Sequence, residues 1–179
     1  AIVLDVMGRE AGHLAMHSGV AGAVDAILTP EIPYSLDGIW RRVAQIRRTE
    51  GRNYFVMVAS EGAGAEKGRP LDRNRFRTPA DYIAGFLEDK GVIARADSLG
   101  HAQRGSVPNA EDRQLAARMG TFAVDALKAG ARLEMVALRN GALKRVDMSA
   151  AKEHTRRLDP ASDIVRAARE LGIYIGEIA

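Results

Sequence analysis

A chain of 179 residues, 46% hydrophobic and 27% charged, is long enough for one ordinary domain with its own core and is not disordered throughout. Its 26 basic and 23 acidic side chains leave a net charge of only +3, compatible with a small anionic ligand and too weak to argue for nucleic acid. The lack of cysteine excludes disulfides, thiolate catalysis and zinc–thiolate sites, and no apolar run approaches the ~20 residues that span a bilayer.

The chain opens inside an apolar run, Ala1–Val6, that reads as a buried strand without an initiator methionine, as expected of a fragment or a trimmed chain. From about Glu10 to Gly22 the spacing is helical. Ala26–Thr29 reads as a second strand, closed by Pro30 and Pro33. Ser35 or Asp37 is placed to cap a helix through Trp40, Val43 and Ile46 to Gly51. Tyr54–Ala59 is an unbroken apolar run suited to a parallel strand covered on both faces. The charged, aperiodic "EKGRPLDRNRFRTP" reads as a surface loop.

Thr78, Pro79 and Asp81 then form a strong helix start. Ala94–Leu99 reads as a strand, and Asn109 caps a helix through Ala123 and Leu127 to Gly130. Asn140-Gly141 marks a hairpin between two short strands. Asp159-Pro160 is expected to cap a last helix that ends at Gly172. Repeated strand–helix–strand order predicts an α/β fold, a three-layer sandwich with a mainly parallel sheet and helices on both faces.

Such sheets hold ligands at the carboxyl ends of their strands. Three polar clusters fall there: "MGRE" after the first strand, "SEGAG" after the Tyr54 strand and "GHAQRG" after the Ala94 strand. In the first, Gly8 lets the backbone approach a ligand closely, and free helix amides with Arg9 would face an anion; the bland reading is a tight turn with a solvated arginine. In the second, Glu61 has small neighbours and suits ligand hydroxyls, a general base or a metal ligand; the alternative is an ordinary loop glutamate. In the third, His101 and Arg104 would grip an oxyanion, most naturally phosphate. Alternatively, His101 donates to a backbone carbonyl and Arg104 pairs with Asp112. Arg95 starts at the far end of the same strand and belongs to another surface.

Other patterns are weak. His13 and His17 stand four apart without a third ligand. Lys67, Arg69, Arg73, Arg75 and Arg77 read as a solvated loop, with nucleic-acid binding the low alternative. No Walker loop, dinucleotide fingerprint or nucleophilic triad is readable.

With "VMGREAGHLAMHSGVAGAVDAILTPEIP", "VMVASEGAG" and "LGHAQRGSVPNAEDRQLAARMG" in order, the chain resembles the carboxyl-terminal half of a phosphofructokinase from Ala1 to about Gly141. The resemblance implies a cytoplasmic glycolytic enzyme that phosphorylates fructose 6-phosphate, built as an allosteric homo-oligomer, dimer or tetramer, with no nucleic-acid or membrane partner. It implies that Met7, Gly8 and Arg9 line the sugar, with Arg9 also near the transferring phosphoryl group. Glu61 would bind sugar hydroxyls, and His101 and Arg104 the 6-phosphate, while Arg95 would reach into a neighbouring subunit's site. Asp25 and Arg52 fall at effector-site positions, although Glu50 departs from the basic residue usual nearby. Ser106 departs from a glycine usual after "QRG".

The family's donor loops, magnesium carboxylate and catalytic aspartate belong to its amino-terminal half and are not in this chain. No metal ligand is therefore assigned here, Mg2+ and the co-substrate, ATP or pyrophosphate, are expected on the amino-terminal donor domain, and this chain alone is expected not to turn over. ATP is the favoured donor. A pyrophosphate-dependent enzyme and a non-catalytic sugar-phosphate-sensing module are the alternatives. The expected division is 1–106 for the sugar-phosphate domain, 107–150 for a helix and hairpin that pack on the donor domain, and 151–179 for helices returning to the first part. Apolar surface from about Pro108 to Val146 would be exposed and open to self-association.

Overall fold

Parallel pairing requires that each strand be followed by a crossover returning the chain to the same edge of the sheet. The computed structural model describes residues 1–151 and 156–177. In it, β1 (Ile2–Val6), β2 (Ala26–Leu28), β3 (Val56–Ser60) and β4 (Arg95–Ser98) form one sheet in the order β2-β3-β1-β4, all parallel. The crossovers are α1 (His13–Ala21), α2 (Leu36–Gln45) and α3 (Pro79–Asp89).

Side chains alternate across the pleat. Val3, Leu28, Met57 and Ala59 face a core shared with Ile39 and Val43 of α2 and with Ile83 and Leu87 of α3. Val6, Ile27 and Val58 face the opposite core, with Ala15 and Met16 of α1 and Val165 and Ala168 of α5 (Asp163–Glu170). The result is the expected three-layer α/β sandwich. The tail after Arg156 closes it: Tyr174 donates its N–H to Asp25 and accepts from Ile27, bridging the outer edge of β2.

Local chemistry explains most boundaries. Ser35, not Asp37, caps α2, its hydroxyl accepting from the Gly38 N–H at 3.0 Å. That helix runs on into a π-turn, Ile46–Glu50, which Gly51 ends at φ 64°. Thr78 and Asp81 exchange both bonds of a capping box at the start of α3. Two boundaries differ from expectation. The first helix begins at His13 rather than near Glu10, because Gly8 and Arg9 take positive φ values of 153° and 51° that no α-helix admits. The last helix begins after Ser162 and not at Asp159-Pro160. Asp159 instead builds the turn ahead of it, accepting from the Ala161 N–H at 2.8 Å and, through its carbonyl, from the Ser162 N–H at 3.0 Å.

A second compact unit begins at Gly105. It holds α4 (Ala110–Lys128), opened by an Asn109–Asp112 capping box, and the antiparallel hairpin of β5 (Glu134–Arg139) and β6 (Ala142–Asp147). Asn140 at φ 50° and Gly141 at φ 78° make the two-residue turn whose twist suits a hairpin. Val124, Leu127, Leu133 and Leu138 of this unit are largely exposed. Among the described residues no helix is long and apolar enough to cross a membrane.

Candidate functional site

Register decides what the strand tips can share. Val6 lies opposite Ser60 and Asp5 opposite Ser98, so β1, β3 and β4 finish together on one edge of the sheet. There the chain after β1 is held by its neighbours. Glu61 donates its N–H to the Val6 carbonyl at 2.9 Å. Its Oε1 accepts the N–H of Gly8 at 3.2 Å and that of Arg9 at 2.6 Å. From the other side, Gln103 Oε1 accepts the Met7 N–H at 3.2 Å while its amide donates to the Gly100 carbonyl.

Three consecutive amides are thus tied to side chains from two other tips. Arg9 is thereby fixed in the left-handed region, which costs a non-glycine residue about 1 kcal/mol and persists only where its surroundings hold it. Gly8 and Arg9 donate to Glu61, and Gly12, ahead of α1, donates to Glu31, so these three amides are taken up within the chain.

These tips border a cavity of about 420 Å³ whose lining includes Asp5, Met7, Arg9, Glu61, Arg73 and Gln103. Asp5 forms part of the floor at 3% exposure, and its Oδ1 has no hydrogen-bond partner among the described residues. Burial raises its pKa above the usual aspartate range; the Thr78 hydroxyl and the Ala80 backbone pull it back, and the charges of Asp81 and Glu61 push it further up.

The native carboxyl therefore binds its proton more tightly than the unfolded one, whose pKa is about 3.9. Stability is lost as the pH climbs from there through the raised native value, and the penalty is complete above it. Asp5→Asn is expected to flatten that slope and to raise the melting temperature at pH 7, read from thermal melts between about pH 4 and pH 8. A variant melting lower at pH 7 with an unchanged slope would contradict it.

Met7, Arg9 and Glu61 line this cavity together, and Gly8 lies between the first two with its N–H on Glu61. His101 and Arg104 stand beside them on the short turn Gly100–Arg104; Gly100 and Gln103 of that turn line the cavity, whereas His101 and Arg104 are exposed outside its lining. Asp112, suggested as a partner for Arg104, serves its own helix cap. Arg95 begins β4 at the opposite edge, with its N–H on the Ala1 carbonyl and its side chain exposed.

Asp25 and Arg52 also lie at that far edge, and they bond to each other at 2.6 Å. Asp25 further accepts the Val56 N–H at 2.9 Å, and Arg52 holds Glu50 at 2.6 Å. Its bonds to Asp25 first and Glu50 second raise the Arg52 pKa. His13 bonds to the Arg156 carbonyl at 3.0 Å, and among the described residues no group of three or more His, Asp or Glu is placed to hold a metal.

Three lining residues were not singled out from sequence. Gln103 was read within the His101–Arg104 cluster but given no role of its own, Asp5 is hidden in an apolar strand, and Arg73 was read as part of a solvated loop.

Residues 1–127 match the family model described as phosphofructokinase. An ATP-dependent 6-phosphofructokinase of Thermosynechococcus vestitus is 40% identical, with 98% of this chain and 48% of that protein covered. Phosphofructokinase from Saccharomyces cerevisiae superposes at a TM-score of 0.71 and 26% identity, covering 96% of this chain and 22% of that one. A pyrophosphate-dependent phosphofructokinase from Marinobacter aquaeolei gives a TM-score of 0.71 at 24% identity, covering 98% and 45% respectively. The chain spans about half the length of the curated relatives it matches.

Proposed function

The chain belongs to the phosphofructokinase family, and from that membership we propose that it carries the part of a 6-phosphofructokinase that grips fructose 6-phosphate. The observation that supports this most is the double bond from Glu61 Oε1 to the amides of Gly8 and Arg9. It holds an arginine and a carboxylate side by side in one cavity, with Glu61 Oε2 left for a ligand hydroxyl.

In this reading Met7 and Gly8 lie along the sugar, Glu61 accepts from its hydroxyls, and His101 and Arg104 take the 6-phosphate at the mouth, where both are exposed. The 1-hydroxyl attacks the terminal phosphorus of the donor, the bond to the leaving phosphate breaks, and the hydroxyl proton passes to a base on the donor-bearing segment. Arg9 offsets charge that develops on the transferring group. ATP is the donor named for the curated relatives, and we assign it here. Magnesium would supply further charge neutralisation when bound. In this reading its ligands belong with the donor-bearing segment. Arg95, at the other edge, is assigned to a neighbouring copy's site in a homo-oligomer, and the exposed apolar residues of α4, β5 and the turn before β5 to contact with the donor segment.

Calorimetric titration of the chain with fructose 6-phosphate and with fructose tests the proposal. Saturable binding that needs the phosphate is expected. Glu61→Ala is expected to weaken it roughly 10- to 100-fold, the scale of losing hydrogen bonds to a charged group. Equal, unsaturable responses to the two sugars would overturn it.

A further inference from the structure

We propose that Arg73, on the irregular segment between β3 and α3, is a further phosphate-gripping residue of the cavity. The inference deepens the sugar-phosphate reading and rests on it.

The segment carries five cationic side chains, Lys67, Arg69, Arg73, Arg75 and Arg77, and they are differently engaged. Arg69 pairs with Glu66 at 2.7 Å. Arg75 lies over the Phe76 ring at 5.1 Å. Arg73 is the one of the five that lines the cavity with Arg9 and Glu61.

Its position is built by the loop around it. The Asp72 carbonyl accepts from the N–H groups of Arg75 and Phe76, and its Oδ1 accepts from Asn74 at 3.0 Å. Phe76 packs edge-on against Tyr82 of α3 at 5.1 Å between centroids. The capping box at Thr78 pins the end of the segment. Arg73 Nη1 donates to the Arg77 carbonyl at 2.6 Å, a tether that leaves its other N–H groups for a ligand. A side chain restrained in this way loses less freedom on binding than a free one.

Charge points to the ligand. Two guanidinium groups, Arg9 and Arg73, face the cavity, and neither has a carboxylate within 4.0 Å among the described residues. Of the three acidic side chains that line it, Glu61 already has one oxygen bonded to backbone, Asp5 lies in the floor, and Glu10 is paired with Arg157 at 3.6 Å. A phosphate dianion matches two forked cations in charge and geometry. It has two sources, the sugar's own phosphate and the terminal phosphoryl group of a donor.

The full chain and its R73A, R73K and R75A variants are titrated with fructose 6-phosphate and, separately, with pyrophosphate. R73A is expected to bind fructose 6-phosphate roughly 10- to 100-fold more weakly, with R73K between it and wild type and R75A unchanged. A loss confined to fructose 6-phosphate assigns Arg73 to the sugar's phosphate; one confined to pyrophosphate assigns it to the donor's. If wild type binds pyrophosphate alone and R73A loses it, Arg73 stands and the sugar-phosphate reading falls. Wild-type affinity in R73A, equal losses in R73A and R75A, or no binding of either anion by wild type overturns the inference.

Discussion

Gly62→Ala is expected to abolish fructose 6-phosphate binding and to destabilise the first unit by roughly 3 kcal/mol or more, the cost of losing two charge-assisted hydrogen bonds. A Cβ at this position would stand 1.8 Å from the Arg9 carbonyl oxygen, 3.0 Å from its carbon and 3.1 Å from Pro30 Cγ. Neither backbone atom is the end of a flexible side chain, so the obstruction is relieved only by moving the Met7–Arg9 segment. That movement takes the Gly8 and Arg9 amides away from Glu61 and leaves Arg9 unsupported at positive φ. Urea denaturation and calorimetric titration of the same preparation check both parts. Wild-type affinity in this variant would mean that the Arg9 segment does not need the close approach of Gly62.

Arg52→Ala is expected to cost about 1–3 kcal/mol, the range for losing a hydrogen bond to a buried charged group, because Asp25 is buried while Arg52 is 27% exposed. Its side chain is the nearest cation to Asp25, whose own side chain is 3% exposed. Without it, the carboxylate keeps the Val56 N–H at 2.9 Å and a second guanidinium, Arg42, at 3.9 Å. Those contacts offset part of the cost of burying the charge. The double variant Asp25→Asn with Arg52→Met is expected to recover much of the loss, because no lone charge then remains. Urea midpoints of the three proteins check this, and a loss below about 1 kcal/mol in Arg52→Ala would show the pair to be dispensable.

Sequence carries the fold well wherever its cause is local. Thr78 with Asp81 and Asn109 with Asp112 announce helix starts because the reciprocal bonds need only three residues of separation. Asn140-Gly141 announces the hairpin for the same kind of reason. The shared edge was legible too, since parallel order alone sends the ends of β1, β3 and β4 the same way. What was not legible depends on long-range partners. Asp5 looks like an interruption in an apolar strand until β4 and the start of α3 are packed around it. Arg73 has no periodicity to mark it, and only the fold of residues 72–78 turns it toward the cavity. The Asp159 misreading has a local cause: a good turn former stands three residues before the true cap position and resembles a cap itself. His101 and Arg104 were read with Gln103 as one cluster, although the turn sends Gln103 inward and leaves the other two exposed.

The edge of β2 is finished by Tyr174, almost a hundred and fifty residues further along the chain. During synthesis the sheet must therefore wait, with one flank of unsatisfied peptide groups open to any passing extended segment, until the stretch around Tyr174 has left the ribosome. A nascent chain stalled before Tyr174 would present a sticky border for chaperones to shield.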